Sequence, residues 1–508
     1  MKIFTTKGLQ DIFARTSATT KDGGLGLMER IASSVSCEII SRWLPKKRFV
    51  LFAGPGSNGC IALATARMLI EQGYRLEVFL FNVPSMPISE ECKINRDKLL
   101  AMGGVDFTEV QTSFEMPYIS SDDIVIDGLF GTGLTAPLKG GFTMLVQGIN
   151  DSNAFVVSID MPSGLLAEWN LNNDRRNIIR ADLTLAFKFK RLAFFFAENA
   201  DYVGVCKVLD IDFDPEAIRK TPGSYYLVEE ADVRRRLRKR KEFSNKYDYG
   251  TLLLVAGSYG MMGAAVLSAK AALRSGVGMV TVHSPRCGFS ILQNAVPEVI
   301  NQYDNDSTVV TDIRLNHNYS TVAIGPGIGT KEDTVNAIDS LLKRYNQPCV
   351  LDADALNCIA LRPNILESIP KMSVITPHAT EFERLFGTQP NDEARLREAM
   401  RMSRRYGIII VLKGRYTMVV RPDEKVYINS TGSPALATPG SGDVLTGLIS
   451  GFIAQGYEME LSAAMGAYIH GAAGDRAEAN QGSYSVTAGD IIDNIGPVIK
   501  GIMSRNEK

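Results

Sequence analysis

An α/β protein of two doubly wound domains is what this sequence predicts, and three observations lead there. Apolar strand-like runs alternate with helical patterns in two successive series. Glycine-rich turns follow several of those runs, as they do where a parallel sheet gathers its ligand at the carboxyl ends of its strands. A chain of 508 residues also exceeds one ordinary hydrophobic core, and its length allows roughly three domains.

The first series opens with FVLFA at residues 49–53, a short buried strand that GPGSNG breaks, and a helix over 61–71. Strands follow over 76–81 (LEVFLF), 124–126, 155–159 (FVVSI), 183–187 and 205–211. Pro215, Pro222 and Gly223 mark a seam, so one domain is expected over 1–218 and a second over 219–508. The second series begins with a basic segment and the strand TLLLVA at 251–256, then a small-residue helix over 263–275. Further strands are expected at 279–283, 321–324, 349–351, 374–376 and 408–412, and helices over 442–455 and 460–480 close the series.

Composition narrows the function. A chain that is 45% hydrophobic and 22% charged is an ordinary soluble globular protein, and a net charge of −1 argues against non-specific nucleic-acid binding. The run RRRLRKRK at 234–241 is expected to be a solvated helix. Seven scattered cysteines without CxxC spacing, and four distant histidines, form neither a disulfide framework nor a zinc site. They fit a reducing cytoplasm. The first residues lack a signal-peptide core, and no run of about 18 apolar residues predicts a membrane span.

The segment TPGSGDVLTG at 438–447 carries the sharpest chemistry. Two glycines and a serine precede Asp443, and an apolar helical pattern follows. Small residues let backbone N–H groups approach an anion, and a helix N-terminus adds roughly half a positive charge. An aspartate in that first turn, beside bound phosphate, can take a proton from a hydroxyl that attacks phosphorus. A plain helix cap after a glycine turn is the competing reading. Other groups cluster at strand ends: the turn IGPGIG, two acids in LDADAL, His378 and Glu381 in TPHATEF, and Lys413 in VLKGRYT. The acids can hold Mg²⁺ waters or a hydroxyl, or cap the next helix; the ammonium can neutralise phosphate.

Taken with YGTLLLVAGSYGMMGAAVLSAKAALRSGVGMVTV and VLDADALN, these blocks resemble, in order, the ribokinase-like NAD(P)H-hydrate dehydratases. The resemblance spans about 226–508 and implies ADP-driven removal of the C6 hydroxyl from the hydrated, damaged nicotinamide of NADH or NADPH. It also implies that Ala264, Gly327, His378 and Asp443 contact the hydrate. Lys413, Gly414, Arg415, Tyr416, Thr417 and Gly442 would contact the nucleotide, with Mg²⁺ offsetting phosphate charge. The family commonly reads His-Pro-Gly-Glu where this chain has His378, Ala379, Thr380 and Glu381.

In the first half, AGPGSNG, VIDGLFGTGL and SIDMPSG each follow an expected strand. Asn58, Asp127 and Ser163 offer oxygens suited to a large, weakly hydrated cation, and Asp160 ends a strand where a carboxylate can serve as base or anchor. With LMERIA and RADLTLAFK, these blocks resemble the NAD(P)H-hydrate epimerases over about 1–215, a Rossmann-like fold. The resemblance implies K⁺ at Asn58, Asp127 and Ser163. It implies a hydrate held by Ser57, Asn58, Gly59, Gly131, Thr132, Gly133, Leu134 and Asp160, the glycine-rich turn wrapping a phosphate. Where the family reads Asn-Gly-Gly-Asp-Gly, however, this chain has Asn58, Gly59, Cys60, Ile61 and Ala62. The loss of an acid and the gain of side chains set a weakened epimerase, or a non-catalytic module, against an active one.

The chain is therefore expected to be a bifunctional repair enzyme acting on NADH hydrate and NADPH hydrate with ADP, cytoplasmic, homo-oligomeric, and bound to neither nucleic acid nor membrane. A ribokinase-like kinase of a small alcohol, with a ligand-binding N-terminal module, is the alternative.

Overall fold

The computed structural model describes residues 1–504. Two compact units divide it, one of Lys2–Ser224 with Asn391–Glu393, the other of Met1, Tyr225–Pro390 and Ala394 onward.

The central sheet of the first unit is built from β1 (Arg48–Ala53), β2 (Arg75–Phe81), β3 (Asp106–Val110), β4 (Ile124–Gly128), β5 (Phe155–Ile159), β6 (Leu183–Phe187) and β7 (Val205–Leu209). They form one parallel sheet in the order β3-β2-β1-β4-β5-β6-β7. The order reverses between β1 and β4, so the loops leaving those strands flank the crevice where doubly wound sheets bind ligands. Strand β3 escapes the sequence reading because DFTEV alternates exposed and half-buried residues at a sheet edge.

The helix after β1, α1 (Ser57–Glu71), starts four residues earlier than its apolar pattern suggests. Gly59 makes this possible: a Cβ there would lie 1.7 Å from the Gly54 carbonyl oxygen, so only glycine lets the first turn settle on the strand end. Cys60, Ile61 and Ala62 follow as buried residues of the same helix, outside the positive-φ region. Their side chains therefore bring no backbone strain. Ala62 fills the space opposite Gly128, whose added Cβ would sit 2.4 Å from that of Ala62. The Cys60 thiol accepts a hydrogen bond from Asn95 Nδ2 at 3.0 Å.

The second unit contains β8 (Tyr225–Val228), β9 (Thr251–Val255), β10 (Met279–Ser284), β11 (Ile300–Tyr303), β12 (Thr321–Ile324), β13 (Val350–Leu351), β14 (Val374–Ile375), β15 (Ile409–Leu412), β16 (Met418–Val420) and β17 (Val426–Asn429). Their order is β8-β17-β16-β15-β14-β13-β12-β9-β10-β11. From β11 to β15 the sheet is parallel, with its switch point between β9 and β12; β15, β16 and β17 form an antiparallel meander. The site-forming helices are α2 (Met262–Ser275), α3 (Ala379–Phe386), α4 (Ser441–Ala454) and α5 (Met459–Gln481).

The basic run departs from the helix expected of it, because only Glu230–Arg234 is helical. Beyond it Arg238 lies 4.3 Å from the Tyr457 ring centroid and Arg240 lies 4.1 Å from that of Tyr249. The Leu237 N–H still bonds the Val233 carbonyl, but the Arg238 N–H donates to the Tyr457 hydroxyl at 2.9 Å, and from there cation–π contacts hold an irregular segment.

Helix α4 is almost wholly buried and packs along α2. Gly447 and Gly451 set the approach, since Cβ atoms there would fall 2.2 Å from the Ser268 carbonyl oxygen and 2.1 Å from Ser275 Oγ. Alanine normally favours a helix over glycine by up to about 1 kcal/mol. At Gly447 the sign should reverse: Gly447→Ala should destabilise by about 1–3 kcal/mol through overpacking. Gly501→Ala, in open space on a helix, should be neutral or stabilising. Thermal melts of the two variants check this.

Candidate active sites

In the second unit the carboxyl ends of β13 and β15 deliver Asp352 and Lys413 to the N-terminal part of α4, and that of β14 delivers His378 to the start of α3. Asp352 is 1% exposed and accepts hydrogen bonds from Lys413 Nζ at 2.9 Å and Thr446 Oγ1 at 2.5 Å. Burial works to raise its pKa, but the Lys413 ammonium, with hydroxyl hydrogen bonds, reverses that and leaves it lowered. Burial likewise works against the charge on Lys413, yet Asp352 and Glu381 (3.6 Å away) raise its pKa. Both groups are therefore held charged. A Cβ on Gly442 would lie 3.6 Å from Lys413 Nζ, so the ammonium stands directly beneath the first turn of α4.

That first turn is open to an anion. Gly440, at φ +84°, provides the N-cap without a side-chain hydrogen bond. Among the described residues, the N–H groups of Gly442 and Asp443 donate to no backbone carbonyl. Asp443 stands in the same turn, and burial first, then the charge of Asp352, push its pKa up to about 7. A partly desolvated carboxylate poised near neutrality, beside free N–H dipoles and an ammonium, can accept a proton while phosphate charge is stabilised.

Around it the other expected residues assemble unequally. Gly327, at φ +63°, lies against α2: its Cβ would be 3.0 Å from that of Ala264 and 2.8 Å from the Met261 carbonyl oxygen. Asp354 Oδ2 accepts the Gly329 N–H at 2.9 Å, and Ala353 between the two acids adopts φ +49°, a backbone state costing about 1–3 kcal/mol for a non-glycine residue. His378 is half-exposed and caps α3, its Nδ1 accepting N–H groups of Thr380 and Glu381 at 3.2 and 3.4 Å. Glu381 returns a carboxylate oxygen to the His378 N–H at 2.8 Å. Its Ala-Thr departure from the family's Pro-Gly thus leaves a complete capping box. Lys413, Gly414, Arg415, Tyr416 and Thr417 form the turn between β15 and β16, where Arg415 Nη1 donates to the Gly432 carbonyl at 2.6 Å.

Two participants were not singled out from the sequence. Thr446 reads as one more residue on a helix, yet it reaches Asp352. His470, on α5, faces Ser441 with Nε2 3.1 Å from its Oγ, and burial lowers its pKa to about 4, so the ring is neutral. Neither carries a local signal, because each acts across sequence separations of 94 and 29 residues.

In the first unit, Asn58, Gly131, Thr132 and Asp160 converge at the switch point. A Cβ on Gly131 would meet Asp160 Oδ2 at 2.6 Å and Asn58 Oδ1 at 3.2 Å. Asp160, at φ +67° and 5% exposed, accepts the Thr132 N–H at 2.8 Å and its hydroxyl at 3.0 Å on Oδ2. Its Oδ1 pairs with the buried Arg191 at 2.5 Å. Arg191 was also missed, since a single basic residue after a strand has no distinguishing pattern. Ser57 is exposed at the start of α1, Gly59 lies behind it against Gly54, and Gly133 and Leu134 complete the loop after Thr132.

Asp127 is fully buried and takes four hydrogen bonds from neutral donors: Ser158 Oγ, the Ser163 N–H and Oγ, and the Leu129 N–H. Burial raises its pKa. Asn58 Nδ2 donates to the Ile159 carbonyl at 3.1 Å, which turns its oxygen toward Gly131.

A family model described as NAD(P)H-hydrate dehydratase matches residues 252–497, and one described as YjeF-related protein N-terminus matches residues 24–193. The chain is similar to the bifunctional NAD(P)H-hydrate repair enzyme Nnr of Moorella thermoacetica, 33% identical over 95% of this chain and 92% of the relative. It is also similar to that of Thermofilum pendens, 31% identical over 94% and 92%. The solved ADP/ATP-dependent NAD(P)H-hydrate dehydratase of Bacillus subtilis, co-crystallized with ATP and Mg²⁺, is 32% identical. It covers 55% of this chain and 98% of its own, with a TM-score of 0.49.

Removing one member of the Asp352–Lys413 pair leaves a buried charge alone. Lys413→Met should cost about 3–5 kcal/mol in urea unfolding, and the double variant Asp352→Leu/Lys413→Met should regain most of that loss. An unchanged single variant would show the pair to be solvated instead.

Proposed function

This chain belongs to the family of bifunctional NAD(P)H-hydrate repair enzymes, and on that footing we propose how its two units divide the chemistry. The C-terminal unit dehydrates (6S)-NAD(P)H hydrate to NAD(P)H using ADP, giving AMP and phosphate. The N-terminal unit interconverts the R and S hydrates. The observation that carries the first assignment is Asp443 with its pKa at about 7, in a helix turn with two free N–H groups above a buried ammonium.

Hydroxide leaves carbon poorly and phosphate leaves well, so the barrier falls if the C6 hydroxyl is first phosphorylated. Asp443 takes the hydroxyl proton as that oxygen attacks the β-phosphorus of ADP, and the bond from phosphorus to AMP breaks. The N–H groups of Gly442 and Asp443 hold the oxygens of the transferred phosphoryl, with Lys413 beneath them. The C6–O bond then breaks with its electron pair going to phosphate, assisted by the ring nitrogen, and loss of the C5 proton restores the double bond. Ala264 and Gly327 make a close, side-chain-poor wall for the hydrate, with His378 at its rim, and the 413–417 turn with Gly442 takes the nucleotide.

Mg²⁺ supplies charge neutralisation on the nucleotide phosphates when bound. No group of three or more His, Cys, Asp or Glu side chains among the described residues is arranged to hold a metal. Asp352 and Asp354 already accept protein hydrogen bonds, which suits an ion that arrives on the nucleotide.

In the N-terminal unit, Asn58, Asp127 and Ser163 would hold K⁺. An oxygen-only set around a buried carboxylate whose four hydrogen-bond donors are neutral suits a monovalent cation. Both oxygens of Asp160 are engaged, so it serves first as the anchor of Thr132, holding Gly131, Thr132, Gly133 and Leu134 around the hydrate's phosphate, with Ser57, Asn58 and Gly59 opposite. The helical, unstrained placement of Cys60, Ile61 and Ala62 supports an active rather than a blocked site. We propose the domain division at 218/219, within the proline and glycine seam and just ahead of the end of the first compact unit at Ser224.

Asp443→Asn should reduce dehydration of the S hydrate by about 10²–10⁴-fold with ADP binding retained, read as recovery of reduced-nicotinamide absorbance. A variant keeping a tenth or more of wild-type turnover removes Asp443 as the base. Because the carboxylate must be ionised to act, wild-type activity should rise with pH and level off above about 7. A raised folded-state pKa favours the protonated form. Stability from this group is therefore present at low pH and lost as pH rises through about 7, and Asp443→Asn should melt higher than wild type at pH 8. With R hydrate alone, turnover should exceed spontaneous epimerisation, and Asp160→Ala should return it to background while S-hydrate turnover persists.

A further inference from the structure

Arg415 belongs to the turn assigned to the nucleotide, and what holds its guanidinium is remote in sequence. Its Nη1 donates to the Gly432 carbonyl at 2.6 Å, three residues past β17. Gly432 has φ +103°, a backbone state that glycine adopts freely, and a Cβ there would press to 3.0 Å from Leu436 Cδ1. The N–H of the same glycine donates to Asp475 Oδ2 at 2.9 Å, from the middle of α5. Neighbouring contacts lock the loop onto that helix: Thr431 Oγ1 donates to the Tyr468 carbonyl at 2.8 Å, and Asn429 Nδ2 to that of Ala467 at 3.1 Å. Gly471 lets this happen, since its Cβ would lie 2.3 Å from Thr431 Oγ1.

One glycine thus links a carboxylate on α5 to a guanidinium in the nucleotide turn. Burial raises the Asp475 pKa, while the Gly432 hydrogen bond and the charge of Arg415 work the other way. The two side chains therefore sense one another both through the glycine and through space. An arginine carries about 2 kcal/mol of rotamer freedom that a preformed bond removes before any ligand arrives.

We infer that Asp475 is a positioning residue for the nucleotide: through Gly432 it presets the Arg415 guanidinium, leaving that group's other N–H donors for an adenine nucleotide. This rests on the assignment of the 413–417 turn to ADP. The role concerns nucleotide affinity alone, because Asp475 touches neither the hydrate-facing residues nor the first turn of α4 in any of its hydrogen bonds.

Steady-state kinetics of the full chain, varying ADP and S hydrate separately, tests it. Asp475→Ala should raise the KM for ADP about tenfold, the scale of one charge-assisted hydrogen bond. Its kcat and hydrate KM should stay at wild-type values. Asp475→Asn, whose amide oxygen still accepts the Gly432 N–H, should restore the ADP KM. Should the alanine variant not fold, Asp475→Ser, too short to reach Gly432, takes its place. If Arg415→Ala raises the ADP KM while Asp475→Ala does not, the inference falls and the nucleotide assignment stands. If Arg415→Ala leaves the ADP KM unchanged, the assignment itself fails. A uniform loss of kcat and both affinities in Asp475→Ala, with a lowered melting temperature, makes Asp475 merely structural and overturns the inference.

Discussion

The buried pair of Asp352 and Lys413 is the interaction around which the second unit's site is arranged. A carboxylate taken out of water is costly unless its charge is met, and here Lys413 and the Thr446 hydroxyl meet it on both oxygens. The pair ties the ends of β13 and β15 to the underside of α4. It also shapes the chemistry above it. The negative charge of Asp352 adds to burial in raising the Asp443 pKa, and Lys413 tempers that rise. The result is a carboxyl group whose pKa is pushed up to about 7, so that it exchanges its proton near neutral pH.

Asp160 and Arg191 in the first unit use similar parts to a different end. Again a strand-end carboxylate is matched by a buried cation, 2.5 Å away. Here the remaining oxygen of Asp160 is committed to the Thr132 N–H and hydroxyl, while the second acid of the site, Asp127, is buried among neutral donors. The positive φ of Asp160 is held by these bonds, which fix the loop through Thr132 to the strand end.

Close backbone approach is the second constraint. Gly59 on Gly54, Gly325 on Asp352, Gly447 on Ser268 and Gly471 on Thr431 each occupy places where a Cβ would fall within 2.3 Å of another atom. Gly59 and Gly325 bring loop and helix backbone onto strand ends, Gly447 brings α4 onto α2, and Gly471 brings the loop at Thr431 onto α5. The replacement of two glycines at Cys60 and Ala62 does not breach this rule, because those positions turn into the interior behind α1, where Asn95 and Gly128 receive them.

The local sequence determined a good deal. Buried strands such as FVVSI and TVAI, rich in apolar residues, were legible with their ends. TPGSGDVLTG identified α4 and Asp443 because its signal lies within one helical turn. Short or edge strands were not legible: DFTEV and INQY mix polar and apolar residues and owe their pairing to a neighbour. The basic run reads as helix, yet contacts with the rings of Tyr457 and Tyr249 hold its second half in an irregular conformation. Thr446, His470, Arg191 and Asp475 were invisible for a related reason. Each gains its role from a partner distant in the chain, and which polar groups meet after burial, with what effect on their charge, is decided only when the sheets close and water is expelled.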